Sequence, residues 1–175
     1  MKNEITFTES GADLILRRVL SMKEKTFTVS QVKKLLKFKE YEKQNNEHAI
    51  RLHYSCGCDD LSFQTELLLS MIENCIKATK LIKNSDPARK FIKGDILMLS
   101  NNVRFCILSF VFDCIKYIDY SNYAGRFDLI QNVKKLHNSV GKFIKMFQDS
   151  FEEDEAEEVF KIIKNIINEI DKTRE

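Results

Sequence analysis

At 175 residues, with 43% hydrophobic and 31% charged side chains, the chain has the length of one domain and enough apolar content to bury a core, which excludes a disordered polymer. Five glycines and one proline are too few for the many turns of a sandwich or barrel, so the composition predicts an all-α fold of long helices. The net charge of +2 is unevenly spread: residues 61–148 hold 13 Lys or Arg against 7 Asp or Glu, while residues 149–175 hold 4 against 10.

The amino terminus, MKNEITFTES, lacks the basic stretch and apolar core of a secretory signal, which predicts a cytoplasmic protein. Its five cysteines, Cys56, Cys58, Cys75, Cys106 and Cys114, are then expected as thiols. The longest charge-free apolar run, Phe105 to Phe112, is far below the roughly 20 residues that cross a bilayer, and no membrane is expected.

In chain order, Ala12, Ile15, Val19 and Met22 recur at helical steps after the capping candidate Ser10, with Arg17, Arg18 and Lys23 on the opposite side. Thr28 and Gln31 fit a capping box, and Val32, Leu35, Leu36 and Tyr41 follow as the stripe of a second helix reaching about residue 44. Residues 45–60 lose the period and are read as a loop or hinge. Leu68, Met71, Cys75, Thr79 and Ile82 mark a third helix over about 61–83.

Asp86 followed by Pro87 is a start signal, because the carboxylate accepts first-turn amides and proline has none to leave unpaired. From there Ile92, Ile96, Leu99, Val103, Cys106, Phe110, Cys114 and Tyr117 form one row of a central helix, with Ile107, Val111, Ile115 and Ile118 beside it. Asp119 or Ser121 caps the next helix, antiparallel to the last across a short turn, whose inward row is Ile130, Val133, Leu136, Val140, Ile144 and Phe147. The acids from Glu152 to Glu158 complement the dipole at the start of a final helix, with Val159, Ile163, Ile166 and Ile170 as its buried stripe. The expected organisation is a single domain, an antiparallel four-helix bundle with one or two additional helices. Residues 1–44 form its N-terminal helices, 45–60 a hinge, 61–148 the core bundle and 149–175 an acidic C-terminal helix.

No catalytic motif appears, and no enzymatic activity is expected. His48, His53, Cys56 and Cys58 are zinc-ligand types within eleven residues, but Cys-x-Cys without a matched second pair is a weak metal pattern, so neither metal nor cofactor is expected. Small helical ribonucleases of the HEPN class place an Arg and a His four to six residues apart; Arg126 and His137 have ten residues between them.

Charge gives the sharper signal. At 100° per residue, Lys134, Lys135, Lys142 and Lys145 occupy an arc of about 100° opposite the buried row of their helix. Lys77, Lys80 and Lys83, with Arg89, Lys90 and Lys93, are placed to extend it. Such patches bind phosphate backbones with little sequence preference, so RNA or DNA is the expected ligand. The alternative from the same residues is a protein-interaction bundle, an immunity or host-modulating protein, that docks a partner through a groove or the acidic helix.

Tyr117, Ile118, Asp119 and Tyr123, then Val133, Lys134, Lys135 and Leu136, form a pattern that resembles the four-helix-bundle family of ribosomal-RNA intervening-sequence proteins and Avd, the accessory protein of diversity-generating retroelements. Arg104 before a long apolar helix is similar to that family's arginine. Lys134 stands where the family has glycine, and the likeness covers roughly residues 61–148. The resemblance implies a noncatalytic bundle with a capacity to form a homo-oligomeric ring, which binds nucleic acid and assists a reverse transcriptase as its protein partner.

Overall fold

The computed structural model describes residues 27–55, 60–114 and 126–172. They form six helices and no strand: α1 Val29–Ser55, α2 Leu61–Leu81, the short α3 Ala88–Phe91, α4 Lys93–Ser109 extended by a π-helical turn Phe110–Cys114, α5 Phe127–Met146 and α6 Glu153–Lys172. The all-α class is as the composition predicts. The N-terminal helix expected around Ala12–Met22 and the turn holding Tyr117 to Tyr123 lie outside the described residues.

At the start of α1 the capping box is formed, with Thr28 N donating to Gln31 Oε1 at 2.9 Å and Gln31 N donating to Thr28 Oγ1 at 3.2 Å. The helix then continues to Ser55, eleven residues past the expected end, so the hinge read over 45–60 is corrected to helix as far as Ser55. The reason lies in polar residues that face the core. Asn45, 2% exposed, donates from Nδ2 to Met71 O at 2.9 Å, and His48 Nε2 lies 3.1 Å from Ser70 Oγ. Asn74 Nδ2 donates to Gln44 Oε1 at 3.3 Å and Gln64 Nε2 to Ser55 O at 2.8 Å. These pairings run in opposite directions along the two helices, so α1 and α2 are antiparallel, and the hydrogen bonds act with the buried Leu35, Phe38 and Leu52 to set their register.

Asp60 begins α2 by accepting from Phe63 N at 3.0 Å. Leu61, Leu68, Met71, Ile72, Cys75 and Ala78 are fully buried, and α2 packs against α1, α4 and α5 as the central element. Asp86 accepts from Ala88 N at 3.0 Å and from Gln31 Nε2 at 2.8 Å, so the start signal read at Asp86–Pro87 also ties the beginning of α1 to α3. The single helix expected onward from Pro87 breaks at Ile92, where φ is −105° and ψ 11°. Ile92 is itself buried, and Gly94, a poor helix former, follows two residues later.

Ile96, Leu99, Val103, Ile107, Phe110 and Val111 carry α4 through the core; Cys106, read as a buried position, is half-buried against it. Among the described residues one helical run, Lys93–Phe112, is long and apolar enough by composition to cross a bilayer. Arg104 in that run is ion-paired with Glu155 of α6, and the run's buried side belongs to the bundle core. α6 lies antiparallel on α5, with His137 against Phe160 near its middle and Lys134 against Asp171 at its end. The stripe read for it, Val159, Ile163, Ile166 and Ile170, is at most 1% exposed. Four such side chains, each contributing about 1.5–3 kcal/mol of burial, explain how a helix this charged is held.

Candidate functional site

Three helix ends meet around one open groove of about 880 Å³. The last turn of α2 brings Lys80 and the residues after it bring Ile82 and Lys83; α3 brings Arg89; the first turns of α4 bring Lys93, Gly94, Ile96 and Leu97; the end of α5 brings Met146 and Phe147, followed by Asp149. Four cations face one acid there. Lys80, Lys83 and Lys93 are exposed, and none of them has an acid within ion-pairing distance among the described residues. No side chain caps the first turn of α4, and Asp95 in that turn offsets the positive end of its dipole, so the field of the groove comes from the side-chain cations.

Arg89 is the structural member of this set. Its Nη1 donates to Thr79 O and, at 3.1 Å, to Ile82 O, which satisfies carbonyls that the end of α2 would otherwise leave unpaired. Burial lowers its pKa, but a guanidinium remains charged throughout the accessible pH range. The groove is thus built by the residue that closes α2, with exposed lysine heads at the rim and an apolar floor of Ile82, Ile96, Leu97, Met146 and Phe147.

Along α5 the four lysines are exposed, as their spacing predicts, but α6 divides them. α6 lies on the side of α5 marked by His137 and Gly141, whose neighbours include the Phe160 ring. At 100° per residue Lys134 and Lys145 border that side, and Lys134 Nζ is 3.5 Å from Asp171. Lys135 and Lys142 fall within about 40° of Met146, on the groove side, about 10 Å apart along the helix, with Met146 of the groove lining about 6 Å beyond Lys142. Among the described residues Lys135, Lys142 and Lys145 have no acid partner.

The remaining candidates are not brought to this place. Lys77 pairs with Glu73 at 3.3 Å on the exposed side of α2, and Lys90 is exposed outside the groove lining. His48 faces α2, whereas His53 is exposed with its ring against Tyr54, 5.8 Å between centroids; the two differ by about 140° around α1. Cys56 and Cys58 lie outside the described residues, and no group of three metal-ligand side chains occurs among those described. Arg126 and His137 are separated by about 16 Å along α5, too far to share one phosphate. Burial pushes the Cys75 thiol up to about 12, which makes it inert as a nucleophile.

Sequence reasoning located the cations but not the groove. The apolar floor, Gly94 and the acid Asp149 come from three separate helix ends, and no periodic pattern links them. Compared with protein-family models, characterised proteins and solved structures, the chain matches none.

Proposed function

We propose that this protein is a non-enzymatic accessory module that binds the phosphate backbone of RNA or DNA in the groove and along the Lys135–Lys142 side of α5, and presents it to a protein partner. The observation that carries this reading is the convergence of Lys80, Lys83, Arg89 and Lys93 on one cleft with a single opposing acid. Phosphate contacts of this kind position a strand without reading its sequence. The floor of Leu97, Met146 and Phe147 suits unpaired bases, which stack on apolar and aromatic side chains, so a single strand is the favoured form. The architecture we adopt with this function is a four-helix core of α1, α2, α4 and α5, with α3 and α6 added. The resemblance to the Avd and intervening-sequence proteins supports a reverse transcriptase as the kind of partner and a ring as the kind of assembly.

Fluorescence anisotropy with a labelled single-stranded oligonucleotide of mixed sequence tests it. Wild-type protein binds at low salt, and the triple variant Lys80→Glu, Lys83→Glu, Lys93→Glu loses that binding while keeping its helical circular dichroism. No detectable binding by the wild type at low salt would sink the proposal.

A second reading has its own observation. Asp154, Glu157 and Glu158, with Lys161, Ile162 and Asn165 beside them, line an exposed hollow of about 630 Å³ along α6, three acids against one base, a surface suited to a basic partner protein. A partner that remains bound after nuclease digestion, from protein purified without nucleic acid, would favour this reading over the first.

A further inference from the structure

The groove holds one acid that phosphate binding leaves unused. Its lysines, Lys80, Lys83 and Lys93, come from the end of α2 and the start of α4, whereas the end of α5 contributes Met146, Phe147 and Asp149. A carboxylate beside unpaired lysines weakens the attraction of that cleft for any phosphate. Asp149 is exposed and, among the described residues, has no ion-pair partner, so it does not serve as the counterion of those lysines.

Local structure fixes this carboxylate next to an aromatic ring. Phe147 ends α5, its amide donating to Phe143 O at 3.0 Å and its ring lying 4.8 Å, centroid to centroid, from the buried Phe143 ring. The chain then makes one short turn, Gln148–Ser150, closed by Ser150 N donating to Phe147 O at 2.9 Å. Asp149 sits in that turn, and both it and Phe147 line the groove. A planar base resting on Met146 and Phe147 brings an edge within reach of the carboxylate and leaves its phosphate to the lysines of α2 and α4. The groove, at about 880 Å³, has the room of a small-molecule pocket, enough for one nucleotide.

A carboxylate accepts hydrogen bonds and donates none, and its two oxygens suit two parallel donors. Among the bases only guanine presents two adjacent donors on its Watson–Crick edge, the ring N–H and the amino group. Adenine and cytosine set an unprotonated ring nitrogen beside the amino group, and uracil or thymine flanks its one N–H with two carbonyls; those lone pairs repel a carboxylate. Bases splayed from a single strand are read in this way, stacked on an aromatic side chain and hydrogen-bonded along that edge.

We infer that Asp149 gives the groove a preference for guanine, accepting from the ring N–H and the amino group of a base that rests on Met146 and Phe147. This rests on the single-strand reading above and adds to it the choice of one base, while the lysines hold phosphates without regard to sequence.

Anisotropy titrations at low salt, with labelled oligouridine carrying one central guanosine, inosine, adenosine or cytidine, test it on the full chain. Wild-type protein should bind the guanosine strand roughly tenfold tighter than the adenosine and cytidine strands, with inosine between, because inosine keeps the ring N–H and lacks the amino group. Asp149→Asn should remove that preference and at the same time tighten binding to plain oligouridine, since it deletes the repulsion between carboxylate and phosphate; a substitution that only disturbed the turn would not strengthen binding. Equal affinity for all the strands, or a guanosine preference that survives in Asp149→Asn, overturns the inference and leaves the phosphate reading standing. A preference for ribose over deoxyribose that is independent of base and lost in the variant assigns Asp149 to a sugar hydroxyl and overturns it too. Absence of binding to every strand fails the nucleic-acid reading itself, and the inference with it.

Discussion

The Arg104 guanidinium grips the Glu155 carboxylate from both sides, with Nε 3.0 Å from Oε2 and Nη2 2.7 Å from each oxygen. Both side chains are 20% exposed, and the guanidinium also lies 5.6 Å from the Phe105 and Phe151 rings. This fork joins the middle of α4 to the first turn of α6, where the acid also complements the helix dipole.

Glu155→Gln leaves a largely buried guanidinium without its charge partner and should cost about 1.5–3 kcal/mol in urea unfolding. A double-mutant cycle with Arg104→Met should return a coupling energy of about 0.5–3 kcal/mol. A coupling energy indistinguishable from zero would show that the fork does not hold α6 in place.

Asp86 makes a pH-dependent contribution. The Ala88 amide and the Gln31 side chain stabilise its carboxylate, with Lys34 4.0 Å away, and hold its pKa below the ordinary 3.8. The unfolded state therefore takes up the proton first as pH falls, so the contribution is complete above the ordinary carboxylate range and is lost through the lower folded pKa. Asp86→Asn should lower the urea midpoint at pH 7 and lose that difference in strong acid. A difference that stays constant down to the acid limit would contradict this sign.

His48 has the opposite charge type. Burial, assisted by nearby Arg51, lowers its pKa from the ordinary 6.5. Below that value the unfolded chain binds a proton that the folded chain resists, so wild-type stability should fall as pH drops from above 6.5 through the folded pKa. His48→Gln should flatten that slope, and an imidazole titration by NMR should give a folded pKa below the ordinary one. A raised value would show that the ring gains a negative partner instead.

Gly94 is in α4 with nothing within 4 Å of where a Cβ would stand. Gly94→Ala should raise unfolding stability by about 0.5–1 kcal/mol through restriction of the unfolded chain and better helix propensity. Destabilisation in a denaturant titration would mean that the start of α4 needs glycine's conformational freedom.

Local signals in this chain translated directly into structure where one residue's chemistry sufficed. Thr28 with Gln31, Asp86 with the Ala88 amide, and the Val159 to Ile170 row are each readable from side chain and spacing alone. The second half of α1 was not readable in that way, because Asn45 and His48 occupy core-facing positions and only the partner helix reveals what Asn45 Nδ2 and His48 Nε2 meet. The break at Ile92 hid for the converse reason: its apolar row continues across the break, so periodicity saw one helix. For the groove, the cations at Lys80, Lys83 and Arg89 were evident, but their convergence depends on helix ends spread over more than sixty residues of sequence.

If Lys80, Lys83 and Lys93 bind phosphates together, the salt dependence of oligonucleotide affinity carries their signature. For wild-type protein the logarithm of the affinity for a single strand should fall linearly with the logarithm of salt concentration, with a slope of about −0.7 per phosphate neutralised. Replacing Lys80, Lys83 and Lys93 with Gln should make that slope shallower by about 2, because three fewer phosphates are neutralised, whereas Lys77→Gln should leave it unchanged. An equal slope in the wild type and the triple variant would show that the groove lysines do not meet the phosphates.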